Sequence, residues 1–409
     1  MSGTERTTIT YRYERWRALT SGVIESAGTT FLLLIAVRAY QSGALWKSAV
    51  ACGSSLGLLF TPLVVAFVTR RGLQPARAAS WLFFTGAAAF VLSAVFPSLP
   101  VFALASMLAV AAPASTIPLL THIYQENYPE KQRGRLFSRT VMIRIASAVV
   151  FSYAAGWALS HYFEYFQALL VFFALALVFG GFCLARVPSQ PIHDAGAAHP
   201  FHALRFVRED KLFRRTLICW MFMGFANLMM LPLRVEYLAS PRYGLNLTVG
   251  MIALLTGVIP NVARLLLSPV WGHLFDRMNF FTLRVTLNAG FAIGILTFFV
   301  SNSFWGLVAG AIIFGISNAG GDVAWSLWVT KFAPPGRVAD YMSVHTFFTG
   351  VRGVLAPLAA FTLVQKLSLG FLAGLSAALI VVASLLLLPE IKLGKRARPA
   401  TALNEEVSE

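Results

Sequence analysis

The chain has 409 residues, 57% of them hydrophobic and 12% charged, with a formal net charge of +16. Soluble globular proteins carry about 25% charged residues, so a water-soluble fold is excluded at the outset. The basic residues sit in short loops between apolar runs, a pattern that encodes membrane topology and argues against a nucleic-acid partner.

The opening MSGTERTTITYRYERWR is too charged for the apolar core of a cleaved signal peptide and reads as a cytoplasmic tail. A helix needs about 20 apolar residues to cross a bilayer. Stretches meeting that test fall at 17–38, 47–69, 78–98, 100–124, 137–160 and 165–187 in the first half. The second half adds 213–238, 249–274, 281–302, 304–330, 341–364 and 368–389. In the fourth, Pro113 and Pro118 with Ser115 and Thr116 between them predict a bent helix with exposed carbonyls. Cys52, Cys183 and Cys219 all lie in apolar spans and read as packing residues, with no disulfide or metal framework.

Residues 188–212 break the apolar rhythm and read as a cytoplasmic connector, running into a short amphipathic basic helix from about Phe201 to Arg215. The connector separates a six-helix half over 1–187 from a second over 213–393, and 394–409 is expected to be a disordered cytoplasmic tail. Twelve crossings put both ends on one side. That side carries 25 of the 33 arginines and lysines, and the other has only Arg38, Lys47, Arg242 and Lys366. The asymmetry predicts cytoplasmic termini.

The halves also repeat one another. Residues 61–77 and 268–284 align at an offset of 207, placing Pro62 on Pro269, Arg70 on Arg277 and Arg77 on Arg284. The second copy, Gly272-x-Leu274-x-Asp276-Arg277, closely resembles the signature loop of the major facilitator superfamily. The first carries Thr69 in place of the motif's acid. Arg133-Gly134-Arg135, and Arg337 in the other half, resemble the family's second basic loop. The resemblance covers nearly the whole chain. It implies an all-α membrane fold of two pseudo-symmetric six-helix halves. It also implies a cytoplasmic gate drawing on Gly272, Asp276, Arg277, Arg70, Arg133 and Arg337, unless these loop arginines serve topology alone.

Seven ionisable residues lie within or at the edge of the spans: Glu25, Arg144, Arg234, Glu236, Arg264, Asp322 and Arg352. Each deep one costs about 2.5–3.5 kcal/mol on insertion scales, so a polar path must exist. In the family's fold, helices 1, 4, 7 and 10 face a central cavity and 2, 5, 8 and 11 complete its walls. All seven fall on those helices, and helices 3, 6, 9 and 12 are expected to carry none deep inside.

Glu25 is either a proton carrier or the partner of a nearby arginine. Asp322 carries a proton, binds substrate, or pairs with Arg352 or Arg264. Arg144 and Arg352, 208 residues apart, read as pseudo-symmetric mates. They either grip an anion from opposite halves or form separate ion pairs with the two acids. Arg264, with Asn261 one turn earlier, is a third cationic candidate. Asn227, Asn318 and Trp325 are further candidate substrate contacts, and Trp328 a second indole beside them. His345 is a candidate proton-coupling group. Arg234 and Glu236, after Pro232, are candidates for an extracellular gate.

These features point to a secondary active transporter in the inner (cytoplasmic) membrane, rocking two halves around a midplane site. Proton coupling and a small organic anion as substrate are favoured. A multidrug or metabolite exporter, a sugar or nucleoside carrier, and a non-transporting receptor or scaffold are the alternatives. No GxxxxGK[ST] run is present to bind ATP, and no metal-ligand or nucleophile motif suggests a cofactor or an enzyme. The expected partners are a small solute, protons and the lipid bilayer, with the chain acting as a monomer.

Overall fold

The computed structural model describes residues 3–192, 201–301, 303–331, 333 and 338–394. Among these there is no strand, and twelve helices are long and apolar enough to cross a membrane. In the first half they are α1 (Gly3–Arg38), α2 (Gly53–Arg70), α3 (Pro75–Val95), α4 (Leu99–Asn127), α5 (Gln132–His161) and α6 (Phe163–Ala185). In the second they are α7 (Lys211–Ala239), α8 (Val249–Phe275), α9 (Phe280–Val300), α10 (Phe304–Trp325), α11 (Tyr341–Leu363) and α12 (Leu369–Pro389). An even number of crossings returns the chain to the face it started from, called the terminal face below.

The packing repeats with a step of six helices. α1 lies on α5 and α6 as α7 lies on α11 and α12; α3 lies on α6 as α9 lies on α12; α2 meets α4 as α8 meets α10. The halves meet along α2 with α11, α5 with α8, and α1 with α7. Seven hydrogen bonds between the halves lie at mid-depth or toward the face opposite the termini.

Local chemistry explains the irregular elements. α4 breaks at Ser115 and Thr116, whose hydroxyls donate to the carbonyls of Ala112 and Pro113, both at 2.7 Å. The Thr116 amide also donates to the Pro113 carbonyl at 3.1 Å, so the helix tightens into a turn that the two hydroxyls reinforce. α1 and α8 each contain one π-helical turn, Ala27–Phe31 and Leu254–Val258.

Two expectations are corrected. The N-terminal segment is not a free tail: it is helical from Gly3 and docks on α4, with Thr10 and Glu14 buried. Its charges are satisfied locally, because Arg17 grips Glu14 through two 2.8 Å bonds and Tyr124 donates to the same carboxylate at 2.7 Å. The basic helix expected from Phe201 to Arg215 is interrupted. A short helical stretch ends at Glu209, and Asp210 accepts from the Phe213 amide at 2.9 Å to start α7. Residues 193–200 of the connector, and the tail from 395 on, lie outside the described residues.

Candidate functional site

Four of the intramembrane charges form one chain across the two halves. Arg144 on α5 approaches Glu25 on α1, Nε to Oε2 at 3.1 Å. The other carboxylate oxygen of Glu25 accepts from Arg264 on α8, and this ion pair crosses between the halves. Arg264 then donates through Nε to Asp322 on α10 at 2.6 Å. The middle of the chain is shielded and its ends are open. Side-chain exposure is 6% for Arg264 and 22% for Glu25, but 36% for Arg144 and 38% for Asp322.

The sequence places these groups by small residues and by the π turns. At Gly22, a Cβ would strike the carbonyl of Arg144 and lie 2.8 Å from the Ala148 amide. Only a glycine there lets α1 close on α5 at the turn that joins Glu25 to Arg144. Ser26 adds a bond to the Ala148 carbonyl at 3.2 Å, and Ser152 donates to Ser26 at 3.0 Å. The two π turns face each other: the hydroxyls of Thr30 and Thr256 are 3.0 Å apart. Thr256 spends its own proton on the Ile252 carbonyl at 2.7 Å, so Thr30 is the donor between them. A π turn inserts one residue and re-aims the side chains around it, and such turns are common at functional sites. Glu25 just precedes one, and Asn261 and Arg264 follow the other. Asn261 accepts from Arg264 at 3.2 Å and donates to the Gly257 carbonyl at 2.8 Å, so it orients the guanidinium. Asn318 stands one turn before Asp322 and is half-buried.

Beyond this chain, the face opposite the termini is sealed. Lys47 pairs with Glu236 across the halves at 2.6 Å, and Arg38 reaches Asn246 at 3.2 Å and the Leu247 carbonyl. Ser160 accepts from the Gly250 amide at 2.6 Å. Burial pushes the nearby Tyr243 phenol above its ordinary range, with Glu236 adding to the effect. Lys47 and Arg38 were the sequence signal available here, being two of only four basic residues on that side.

The remaining candidates divide differently from expectation. Arg352 does not share a cavity with Arg144. It is buried inside the C-terminal half, donating to the Trp220 carbonyl, in space left by Gly224, where any Cβ would overlap its guanidinium. His345 sits with it, its ring 5.4 Å from Trp220, 5.4 Å from Trp325 and 5.2 Å from Trp328. Trp325 is thus engaged with His345. Arg284, near the terminal-face end of α9, is fully buried, 3.5 Å above the Trp220 ring. An indole face replaces part of the lost hydration. Arg234 does not pair with Glu236. It turns inward onto Phe314, 4.0 Å from the ring centre, within an unbroken α7 that includes Pro232. Asn227 faces the same interior, its carbonyl oxygen without a partner.

On the terminal face, Arg70 is exposed at the end of α2, and Arg277 is exposed after α8. Arg133 donates to the carbonyls of Gln125 at 3.2 Å and Tyr128 at 3.5 Å, closing the end of α4. Burial raises the Tyr128 phenol, and Glu14 contributes. Gly272 has open space around it. The Asp276 side chain and Arg337 lie outside the described residues.

Comparison with known proteins agrees with this architecture. Among solved structures, the nucleoside transporter NupG superposes with a TM-score of 0.70 at 14% identity, covering 93% of this chain and 98% of that one. A D-xylose–proton symporter gives 0.69 at 15% identity, covering 94% and 96%. A POT family transporter in complex with a thioalcohol-conjugated peptide gives 0.71 at 12% identity, with coverage of 94% and 96%. At such identities the likeness is one of fold. No curated protein matches the sequence significantly. The family model for the Major Facilitator Superfamily, however, matches residues 18–279 and 237–409, which together run through both halves to the last residue. The chain therefore belongs to the Major Facilitator Superfamily, a multi-pass secondary transporter by family.

Proposed function

We propose that this protein carries a small organic anion together with a proton, by alternating access of its two halves. The observation that carries the reading is the charge balance of the central chain. Arg144 with Glu25 neutralises the N-terminal half, and Arg264 with Asp322 neutralises the C-terminal half. Within this chain of four, only the Glu25–Arg264 pair crosses. At this site the halves can therefore separate without stranding a buried charge, which would be costly.

Protonation of Glu25 removes its negative charge and leaves two guanidiniums without their shared carboxylate. A substrate carboxylate or phosphate then takes its place, because guanidinium grips both through paired N–H bonds. Proton and anion enter together and the site stays neutral. Cytoplasmic termini, which the loop charges support, make the sealed face extracellular and this conformation inward-facing in the proposed cycle. The gating pairs on the sealed side are Lys47–Glu236 and Arg38 with the Leu247 carbonyl. The site acts by binding and releasing, with no chemical step.

The sign of the pH effect follows. Anion affinity should rise as pH falls, because protonated Glu25 no longer competes for Arg144 and Arg264. The test is uptake into proteoliposomes under an imposed pH gradient, with ligands first found by thermal-shift screening of anionic, neutral and cationic metabolites. Glu25→Gln should bind anions independently of pH and lose pH-driven uptake, and Arg144→Gln should lose anion binding. Undiminished coupling in Glu25→Gln with Asp322→Asn, or unchanged binding in Arg144→Gln, would sink the proposal. Stabilisation by neutral polyols or nucleosides alone would favour a carrier of uncharged solutes, which a site of zero net charge also accommodates.

A further inference from the structure

The C-terminal half carries a groove of about 170 Å³ along the seam between α9 and α12. Val285, Ala289 and Ala292 line it from α9, and Val381, Leu385 and Leu388 from α12. Val381 is 50% exposed and Leu385 57%, so the groove opens sideways toward lipid and not into the bundle. The repeat shows why it is there. At the matching seam of the N-terminal half, Ser80 on α3 donates directly to the Gly181 carbonyl on α6 at 2.8 Å. The Phe84 ring closes on Gly181, where a Cβ would lie 2.8 Å from ring carbon. Asn288 is the counterpart of Ser80, 208 residues later, and on the same count Ala292 stands in place of Phe84. The link across the second seam spans two side chains, Asn288 Nδ2 to Ser384 Oγ at 2.9 Å, and the ring that fills the first seam is missing. Ser384 gives its own proton to the Ile380 carbonyl at 2.9 Å, and the surface facing the groove is apolar.

We propose that this groove holds one acyl chain of an anionic phospholipid from the terminal-face leaflet, its headgroup met by the basic residues that follow α12. The length fits one chain. Ile380 to Leu388 covers about 12 Å of helix, against about 15 Å for one leaflet of the hydrocarbon core. The charge fits the headgroup. Leu388 is at the terminal-face end of the groove, and the helix runs on to Gly394. Residues 390–398 hold four cations, Lys392, Lys395, Arg396 and Arg398, against one acid, Glu390. Arg277, exposed, leads into α9 on the same face. Basic residues beside a membrane helix attract anionic headgroups, at about fivefold in affinity for each. A zwitterionic lipid supplies the same chain and no net charge for them. Neither α9 nor α12 contributes to the Arg144–Asp322 chain, so the lipid is a fixed part of this half and not a substrate.

The test is native mass spectrometry of the full-length protein, released from detergent holding equal phosphatidylglycerol and phosphatidylcholine with matched chains. Thermal unfolding checks that each variant is folded. Wild type should retain one phosphatidylglycerol, at least tenfold in excess of phosphatidylcholine. Ala292→Phe restores the ring of the other half and should retain at least tenfold less. If it does not fold, Ala289→Phe, on the exposed wall of the groove, should do the same. Changing Lys392, Lys395, Arg396 and Arg398 together to Gln should erase the headgroup preference and keep the chain bound. Equal retention of the two lipids by wild type, or an unchanged preference in the glutamine variant, would overturn the headgroup assignment. Undiminished phosphatidylglycerol in the filled-groove variants would place the lipid elsewhere. A wild-type dimer without retained lipid, dissociated by Ala289→Phe, would give the groove to a second copy of the chain.

Discussion

Gly22 shows how much of the site rests on a missing side chain. A Cβ at this position meets the Arg144 carbonyl and the Ala148 amide, both main-chain atoms that cannot swing away. Gly22→Ala should force α1 off α5, part Glu25 from Arg144 and destabilise the fold by about 1–3 kcal/mol. Gly28→Ala is the matched control, since its new methyl would lie 3.7 Å from Ser54 Oγ in ordinary contact. Thermal unfolding of both variants checks the difference. A loss in Gly28→Ala as large as in Gly22→Ala would refute the argument. At this scale the sequence was legible in part. Glu25, Arg144, Arg264 and Asp322 stood out because a charge in an apolar span is expensive. Which arginine meets which acid was not legible, because partners are fixed by helix rotation and by gaps such as Gly22 and Gly224. That is why Arg352, so close to the repeat offset from Arg144, ends up against Trp220.

Among elements, the paired π turns are the main addition to what the sequence offered. The apolar runs and the break between Pro113 and Pro118 were readable from hydropathy and proline, and the repeat of the halves from the aligned loops 61–77 and 268–284. The π turns were not, since a single inserted residue leaves hydropathy unchanged. Nor was the helical N-terminus, whose charges look solvent-exposed until Glu14, Arg17 and Tyr124 are seen satisfying one another. The Thr30–Thr256 bond joins the two π turns across the halves. Replacing both threonines with valine keeps the shape and removes the bond, for a loss of about 0.5–1.5 kcal/mol. The sealed face should then open more often, seen as faster hydrogen exchange in Val249–Ala253. Exchange unchanged from wild type would show that the turns do not hold the halves together.

For the whole molecule, the separation of contacts to one face defines the motion it permits. The two halves are tied at mid-depth and on the face opposite the termini, as expected if each moves as a body. Ser160 on α5 lies against Gly250 on α8, where a Cβ would stand 2.9 Å from the Ser160 hydroxyl oxygen, within reach of a disulfide. Cysteines at these two positions should therefore cross-link the sealed face. Cys52, Cys183 and Cys219 are buried and can be replaced beforehand to give a clean background. The cross-link should abolish uptake, and dithiothreitol should restore it. Full activity in the oxidised protein would exclude opening at this face as a step of transport.

The self-contained pairing of Arg144 with Glu25 and of Arg264 with Asp322 bears on the energy source as well. A unit charge moved through the full membrane field exchanges about 2.3 kcal/mol per 100 mV. Each pair carries its opposite charges together, so the empty site has no net charge for the field to pull. A protonated Glu25 with a monovalent anion beside Arg144 is just as neutral. Neither the loaded nor the empty crossing at this site should therefore respond to voltage. In vesicles clamped with valinomycin and potassium, uptake should follow the proton gradient and stay level as the electrical potential is varied.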